Sequence, residues 1–193
     1  MSEPLRADYE KYTYADILSW TDDTRWELID GVPYAMTPSP NHSHQRISMA
    51  LGSQFFDLLR GAPCEVLAAP FDVLLPKAGE DANSATTVLQ PDLMVVCNPE
   101  QIEQRGVIGP PTLAIEILSP STITRDMREK LQTYQRAGVP EYWIVMPEDK
   151  TVLVFTLNEQ GCYGNPTVYV GEEQVPVGVL PGLVIDLKEV FAD

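Results

Sequence analysis

The sequence predicts a mixed α/β (α+β) fold, a central β-sheet flanked by helices, on three observations. An apolar stretch over 113–118, a helical one over 123–137 and a strand-like one over 141–146 follow in immediate succession. That order makes a right-handed crossover joining two parallel strands. Leu93 to Cys97 and Leu113 to Leu118 are nearly continuously apolar, as central strands covered on both faces are. Trp26 to Ile29 and Val32 to Met36 flank Asp30-Gly31, a strong two-residue hairpin signal.

The remaining elements follow from local signals. Thr13 is placed to cap a short helix running to Trp20. Pro38-Ser39-Pro40-Asn41 stops the second hairpin strand and starts a helix. Along that helix Ile47, Leu51, Phe55, Leu58 and Leu59 recur at helical spacing, and Gly61 follows as its stop. Cys64 to Ala68 and Phe71 to Leu75 read as strands, and the polar stretch 76–88 as a flexible loop. The 123–137 helix ends at Gly138. Beyond 141–146 a turn at Pro147-Glu148-Asp149-Lys150 leads to a strand over 151–157. A short strand near Leu183 and a helical turn after Asp186 close the chain. The 193 residues suit one domain over 1–193, with a core at about 13–157 and carboxyl-terminal strands and a short helix over 158–193.

Composition removes several function classes. No run approaches the roughly 20 apolar residues of a membrane span, and the polar amino end lacks a secretory layout. Cys64, Cys97 and Cys162 are odd in number, far apart and in no CxxC pattern. That argues against a disulfide framework or a zinc knuckle and for a reducing cytoplasm. Thirteen basic against 28 acidic side chains give a net charge of −15, which repels polyanions over most of the surface. A nucleic-acid function must therefore work through a local positive site, unlike a protein that coats nucleic acid non-specifically.

Two acids break the apolar strand pattern. Asp92 opens the 92–97 strand and Glu116 sits inside Leu113 to Leu118, with no basic residue in the strand to neutralise it. An isolated buried carboxylate costs several kcal/mol unless it is paired or bound to a metal. Read alone, Asp92 also suits an ordinary strand-start residue. Together the two suggest a divalent cation, since magnesium takes hard oxygen ligands from one or two carboxylates plus water and substrate phosphate. The Ile117 carbonyl is a further candidate ligand. Arg125, Arg128, Lys130 and Arg136 form a basic cluster in the helix that follows. By pattern alone, a solvated helix face with an Asp126–Lys130 pair at i,i+4 is the simpler reading of Lys130.

These residues resemble a known family. Pro91-Asp92, Glu116-Ile117-Leu118-Ser119-Pro120-Ser121-Thr122, Asp126…Lys130 and Gly138-Val139-Pro140-Glu141-Tyr142-Trp143 are similar to those of a family of small proteins classed as restriction endonucleases. That family is a branch of the PD-(D/E)XK nuclease superfamily. Trp26 to Gly31 and His44 match its amino-terminal pattern, and the likeness spans about 13–157. The resemblance implies a restriction-endonuclease-like fold and magnesium-dependent cleavage of phosphodiester bonds, with manganese as a substitute. It implies Asp92 and Glu116 as metal ligands, Lys130 as the catalytic lysine and Glu27 as an additional acid. The sequence departs from the superfamily at the E-x-K lysine, where Leu118 stands; Lys130 resembles the helix-borne lysine that replaces it in some branches.

His44 and Gln45, on the first turn of the second helix, and Asp72, another acid in an apolar strand, are candidates to support the site from behind. Arg125 and Arg128 are candidates for nucleic-acid contact. The leading expectation is a cytoplasmic magnesium-dependent endonuclease acting on DNA, as a homodimer because two cleavage centres suit the two strands of a duplex. A catalytically inactive nuclease-fold interaction module is the alternative, favoured by the charge and by Leu118. A two-carboxylate glycosidase would need an aromatic-rich cleft and ranks last at 8% aromatic residues.

Overall fold

A computed structural model describes residues 11–21, 24–36, 40–119 and 125–192, with the side chains of 125 and 126 excepted. The helix over 14–19 (α1) carries a capping box. Asp16 accepts hydrogen bonds from both the backbone N–H and the hydroxyl of Thr13, at 2.7 and 2.8 Å. Strands Trp26–Ile29 (β1) and Val32–Ala35 (β2) form the expected hairpin. Its turn places Asp30 at φ 54° and Gly31 at φ 84°, the doubly left-handed turn that matches strand twist. Helix His42–Leu58 (α2) starts where Asn41 accepts from the His44 N–H at 2.9 Å, and buries His44, Ile47, Leu51 and Phe55.

Strands Glu65–Ala68 (β3), Asp72–Leu74 (β4), Val88–Leu89 (β5) and Leu93–Val96 (β6) come next. The short pair Ile102–Glu103 (β7) and Gly106–Ile108 (β8) precedes Leu113–Ile117 (β9). The expected crossover helix starts as a π-helical stretch, Arg125–Lys130, and becomes α-helical over Leu131–Ala137 (α3). Residues 123 and 124 lie outside the described part. Strands Glu141–Met146 (β10), Thr151–Thr156 (β11), Thr167–Val170 (β12), Gln174–Pro176 (β13) and Val184–Asp186 (β14) follow, then the short helix Leu187–Val190 (α4).

Two six-stranded mixed sheets stand where one central sheet is expected. The larger body is the sheet β12-β11-β10-β9-β6-β3, in which β9 and β10 run parallel as the crossover requires. The second, β2-β1-β5-β4-β8-β7, is built largely from strands of two to four residues. One face of the first sheet packs on α2 and on the carboxyl-terminal residues Val175, Ile185, Leu187 and Val190. Its other face meets Tyr134 of α3 and Ile29, Val73 and Leu89 of the second sheet. Glu27 and Lys130 are thereby brought from either side onto that second face.

Two expectations are corrected. Cys64 and Cys97 are joined by a disulfide, although 33 residues separate them in sequence. The antiparallel pairing of Glu65 with Val96 places the two cysteines side by side one step beyond the ladder. Stretch 76–88 is not a loose loop: Glu80 accepts from Thr86 and Lys77, Asp81 from Ser84, and Ala85, Thr86 and Thr87 are buried. Among the described residues, no helix is long and apolar enough to cross a membrane.

Candidate active site

Lys130 lies at the junction between the π-helical stretch and α3, and its side chain turns inward. Nζ stands 2.8 Å from Glu27 Oε1 on β1 and 2.8 Å from Glu116 Oε1 on β9. All three side chains are all but excluded from solvent, at 2%, 0% and 4% exposure. The solvated helix face expected for Lys130 gives way to a buried triad, and the Asp126 side chain lies outside the described part. Two buried carboxylates repel each other and are poorly hydrated; one ammonium between them relieves both costs.

Further donors complete the cluster. Tyr134, one helical turn beyond Lys130, donates its hydroxyl to Glu116 Oε1 at 3.0 Å. Burial, then the charge of Glu116, pushes the Tyr134 hydroxyl pKa well up, so it stays a donor. The backbone N–H of Gln90 donates to Glu27 Oε1 at 3.0 Å. The Gln90 side chain donates to Asp72 Oδ1 at 2.7 Å, and Tyr14 donates to Asp72 Oδ2 at 3.0 Å. Burial raises the Asp72 pKa, although both of those hydrogen bonds oppose the shift. Asp72 thus stands one residue removed from the triad and braces the segment that leads to Asp92.

Asp92 occupies the end of the β6–β9 ladder. The register pairs Leu93 with Ile115, which puts Asp92 one step beyond the paired residues, at the level of Glu116. Asp92 Oδ2 accepts the Ile117 N–H at 2.7 Å and lies 3.1 Å from His44 Nε2. Asp92 keeps 21% side-chain exposure, unlike the enclosed Glu27 and Glu116.

The structure thus brings Asp92, Glu116, Lys130, Glu27, His44 and Asp72 to one region. Gln45 is not among them: it follows His44 but points outward and is exposed, because neighbouring helix positions face different sides. Arg128 is exposed on the π-helical stretch, and the Arg125 side chain lies outside the described part. Gln90 and Tyr134 are the site residues the sequence does not single out. Gln90 acts partly through its backbone N–H, and Tyr134 reads as an ordinary aromatic on a helix. Spacing to Lys130 at i,i+4 is the signal that finds Tyr134.

A hydrated magnesium ion fits the donors present. Among the described residues both hydrogen bonds of Asp92 use Oδ2, which leaves Oδ1, and Glu116 and the Ile117 carbonyl lie at the same ladder end. His44 Nδ1 and Gln90 Oε1 are buried without a hydrogen-bond partner among the described residues, and a polar guest with its waters would satisfy such atoms. Among the described residues no group of three or more His, Cys, Asp or Glu converges on one point. The chemistry suits a hard ion held by one or two carboxylates and keeping several waters, and it does not suit zinc.

On this mixed α+β scaffold a buried lysine bridges two strand-borne carboxylates, Glu27 and Glu116. A family model described as "Uma2: Putative restriction endonuclease" matches residues 8–188, and the chain belongs to that family. An uncharacterized Synechocystis sp. protein, slr1290, is 26% identical over 158 residues, covering 80% of this chain and 79% of that one. The crystal structure of a DUF820 protein from Anabaena variabilis, titled a putative nuclease, superposes with a TM-score of 0.72. That likeness covers 93% of this chain and 97% of the other at 19% identity, and shows the shared fold.

Proposed function

We propose that this protein is a magnesium-dependent endonuclease that hydrolyses phosphodiester bonds of DNA, with Asp92 and Glu116 as the metal ligands. The observation that carries the reading is Lys130, turned inward from its helix into contact with Glu27 and Glu116. A catalytic amine is needed at a place in space, and here a helix supplies it where Leu118 of the strand does not. Magnesium, when bound, supplies neutralising charge at a phosphoryl oxygen and lowers the pKa of a coordinated water. Lys130 offsets negative charge developing on the phosphate, and its field acts strongly because the surroundings are poorly hydrated. Glu27 holds the ammonium in position, Tyr134 holds Glu116, and His44 with the Ile117 N–H fixes the rotamer of Asp92. A homodimer would present two such centres to the two strands of a duplex.

Incubating DNA with the protein and magnesium tests the reading directly. Cleavage should appear with the wild type and fall at least about 100-fold in Asp92→Ala and in Lys130→Ala. Equal cleavage by all three would overturn the assignment. The competing reading is a silent interaction module that kept the fold; it draws support from Leu118 at the motif position and from the net charge of −15. Magnesium or manganese should raise the melting temperature of an intact site and leave that of a silent module unchanged.

A further inference from the structure

Beside the triad, but not part of it, lies an open cleft of about 390 Å³. Its polar lining is Asp30, Lys77, Thr87, Thr133 and Arg136, set against apolar walls that include Leu75 and Pro110. Two cations from distant parts of the chain converge there on one carboxylate. Lys77 Nζ lies 2.6 Å from Asp30 Oδ1, and Arg136 Nη2 lies 2.9 Å from Asp30 Oδ2. The three side chains are about half exposed, at 46%, 54% and 40%.

The ionic balance is unusual for this molecule. The hydrogen bond from Lys77 and then the charge of Arg136 hold the Asp30 carboxyl below its ordinary range, against the opposing effect of burial, so the acid stays ionised. Two positive charges face one negative in the cleft lining, with the Glu80 carboxylate near enough to feel the charge of Lys77, on a chain whose net charge is −15. Among the described residues Arg136 uses Nη2 on Asp30 and Thr133, with Nε and Nη1 left for an incoming group. A forked guanidinium with free donors next to an ammonium is suited to a phosphate.

Position links the cleft to the candidate active site through two separate elements. Six residues of helix separate Lys130 from Arg136, a rise of about 9 Å. Three residues of strand separate Glu27 from Asp30, about 10 Å. The two routes agree on a separation of about 10 Å, one to two phosphate steps along a strand whose neighbouring phosphates lie roughly 6–7 Å apart.

We propose that the Asp30–Lys77–Arg136 cleft is a phosphate subsite that grips the backbone of a nucleic-acid strand about one to two nucleotides from the bond Lys130 addresses. This rests on the nuclease reading. Asp30 splays and orients the two cations when the subsite is empty, and it tempers their affinity, which suits a protein that must not bind polyanions indiscriminately.

The test is equilibrium binding of a fluorescent DNA oligonucleotide to the full chain without divalent metal, titrated across salt. Replacing both cations, Lys77→Ala with Arg136→Ala, should reduce the slope of log affinity against log salt by about 2. Asp30→Asn keeps a residue that tolerates the left-handed turn, and should tighten binding. Arg60→Ala with Lys188→Ala removes two cations elsewhere and should leave the slope unchanged. Wild-type binding with the same slope in the Lys77/Arg136 variant overturns the subsite alone, as does Asp30→Asn binding no tighter. Absence of wild-type binding overturns the subsite and the DNA reading together. All variants change exposed side chains, and an unchanged melting temperature confirms that each is folded.

Discussion

Lys130 Nζ stands 2.8 Å from Glu27 Oε1, with the two side chains at 2% and 0% exposure. The contact ties the helix after β9 to the amino-terminal hairpin, across the interface between the two sheets. Lys130 is a structural keystone as well as a candidate catalytic group, and the two roles make separate predictions.

Removing the amine leaves Glu27 and Glu116 buried and without their shared counter-charge. Lys130→Ala should cost about 3–5 kcal/mol in urea unfolding, the range for breaking a buried pair from one side. A lysine on a solvated face would cost within about 0.5 kcal/mol. A small loss would therefore show that the triad does not form in solution. Because low stability alone can abolish activity, cleavage by this variant has to be measured where it remains folded.

How far this arrangement is legible in sequence depends on how local its causes are. The hairpin at Asp30-Gly31, helix α2 and the parallel β9–β10 crossover all rest on signals within one segment, and they form as read. Strands β5, β7 and β8 escape because two or three residues carry no period; Val88 is a strand residue only because Leu28 and Leu74 lie on either side of it. The second sheet is missed for the same reason. Acids in apolar strands identify Asp92 and Glu116, whereas helical spacing assigns Lys130 to a partner, Asp126, on its own helix. What overrides that spacing is the crossover, which lays the helix against β1. The disulfide follows from a strand register that no spacing between cysteines reveals.

Glu141 offers a pH test away from the triad. It accepts from Trp143 Nε1 at 2.6 Å and from the Val179 N–H at 3.0 Å, fastening the carboxyl-terminal segment to β10. Burial raises its pKa above the ordinary 4.5 even though these hydrogen bonds pull the other way. The folded chain consequently holds this proton more tightly than the unfolded chain. Its contribution to stability is full below the unfolded value and is lost as pH rises through the folded one. As pH rises above the ordinary 4.5, unfolding free energies of Glu141→Gln and wild type should diverge in favour of the glutamine variant. A pH-independent difference would contradict the shift.

The same fastening explains why position 178 is glycine. A Cβ on Gly178 would sit 2.7 Å from Glu141 Oε2, closer than any unstrained contact. Gly178→Ala must push the loop or the carboxylate away, loosening the hydrogen bond to Val179. The expected cost is about 1–3 kcal/mol by chemical denaturation, as for overpacking a filled interior. Pairing it with Glu141→Ala should recover much of that loss relative to Glu141→Ala alone, because the two atoms in conflict are no longer both present. Additive losses would mean that the clash lies elsewhere.

A swap of positions asks whether the chemistry needs the amine in space or on a given element. Leu118 follows β9 two residues after Glu116, on the same side of the chain and about 7 Å along it, and it is buried among apolar neighbours including Tyr134. A lysine there has the reach to address Glu116 from the strand. Lys130→Leu should be inactive, and Lys130→Leu with Leu118→Lys should regain at least about tenfold in DNA cleavage, at some cost in stability from placing an ammonium stem in an apolar layer. Leu118→Lys alone should be less stable than wild type and no more active, since two ammonium groups would then crowd the same carboxylates. Failure of the double variant to exceed Lys130→Leu, with both folded, would show that Glu27 is indispensable to aiming the amine, because only an amine at position 130 is held by Glu27 and Glu116 together.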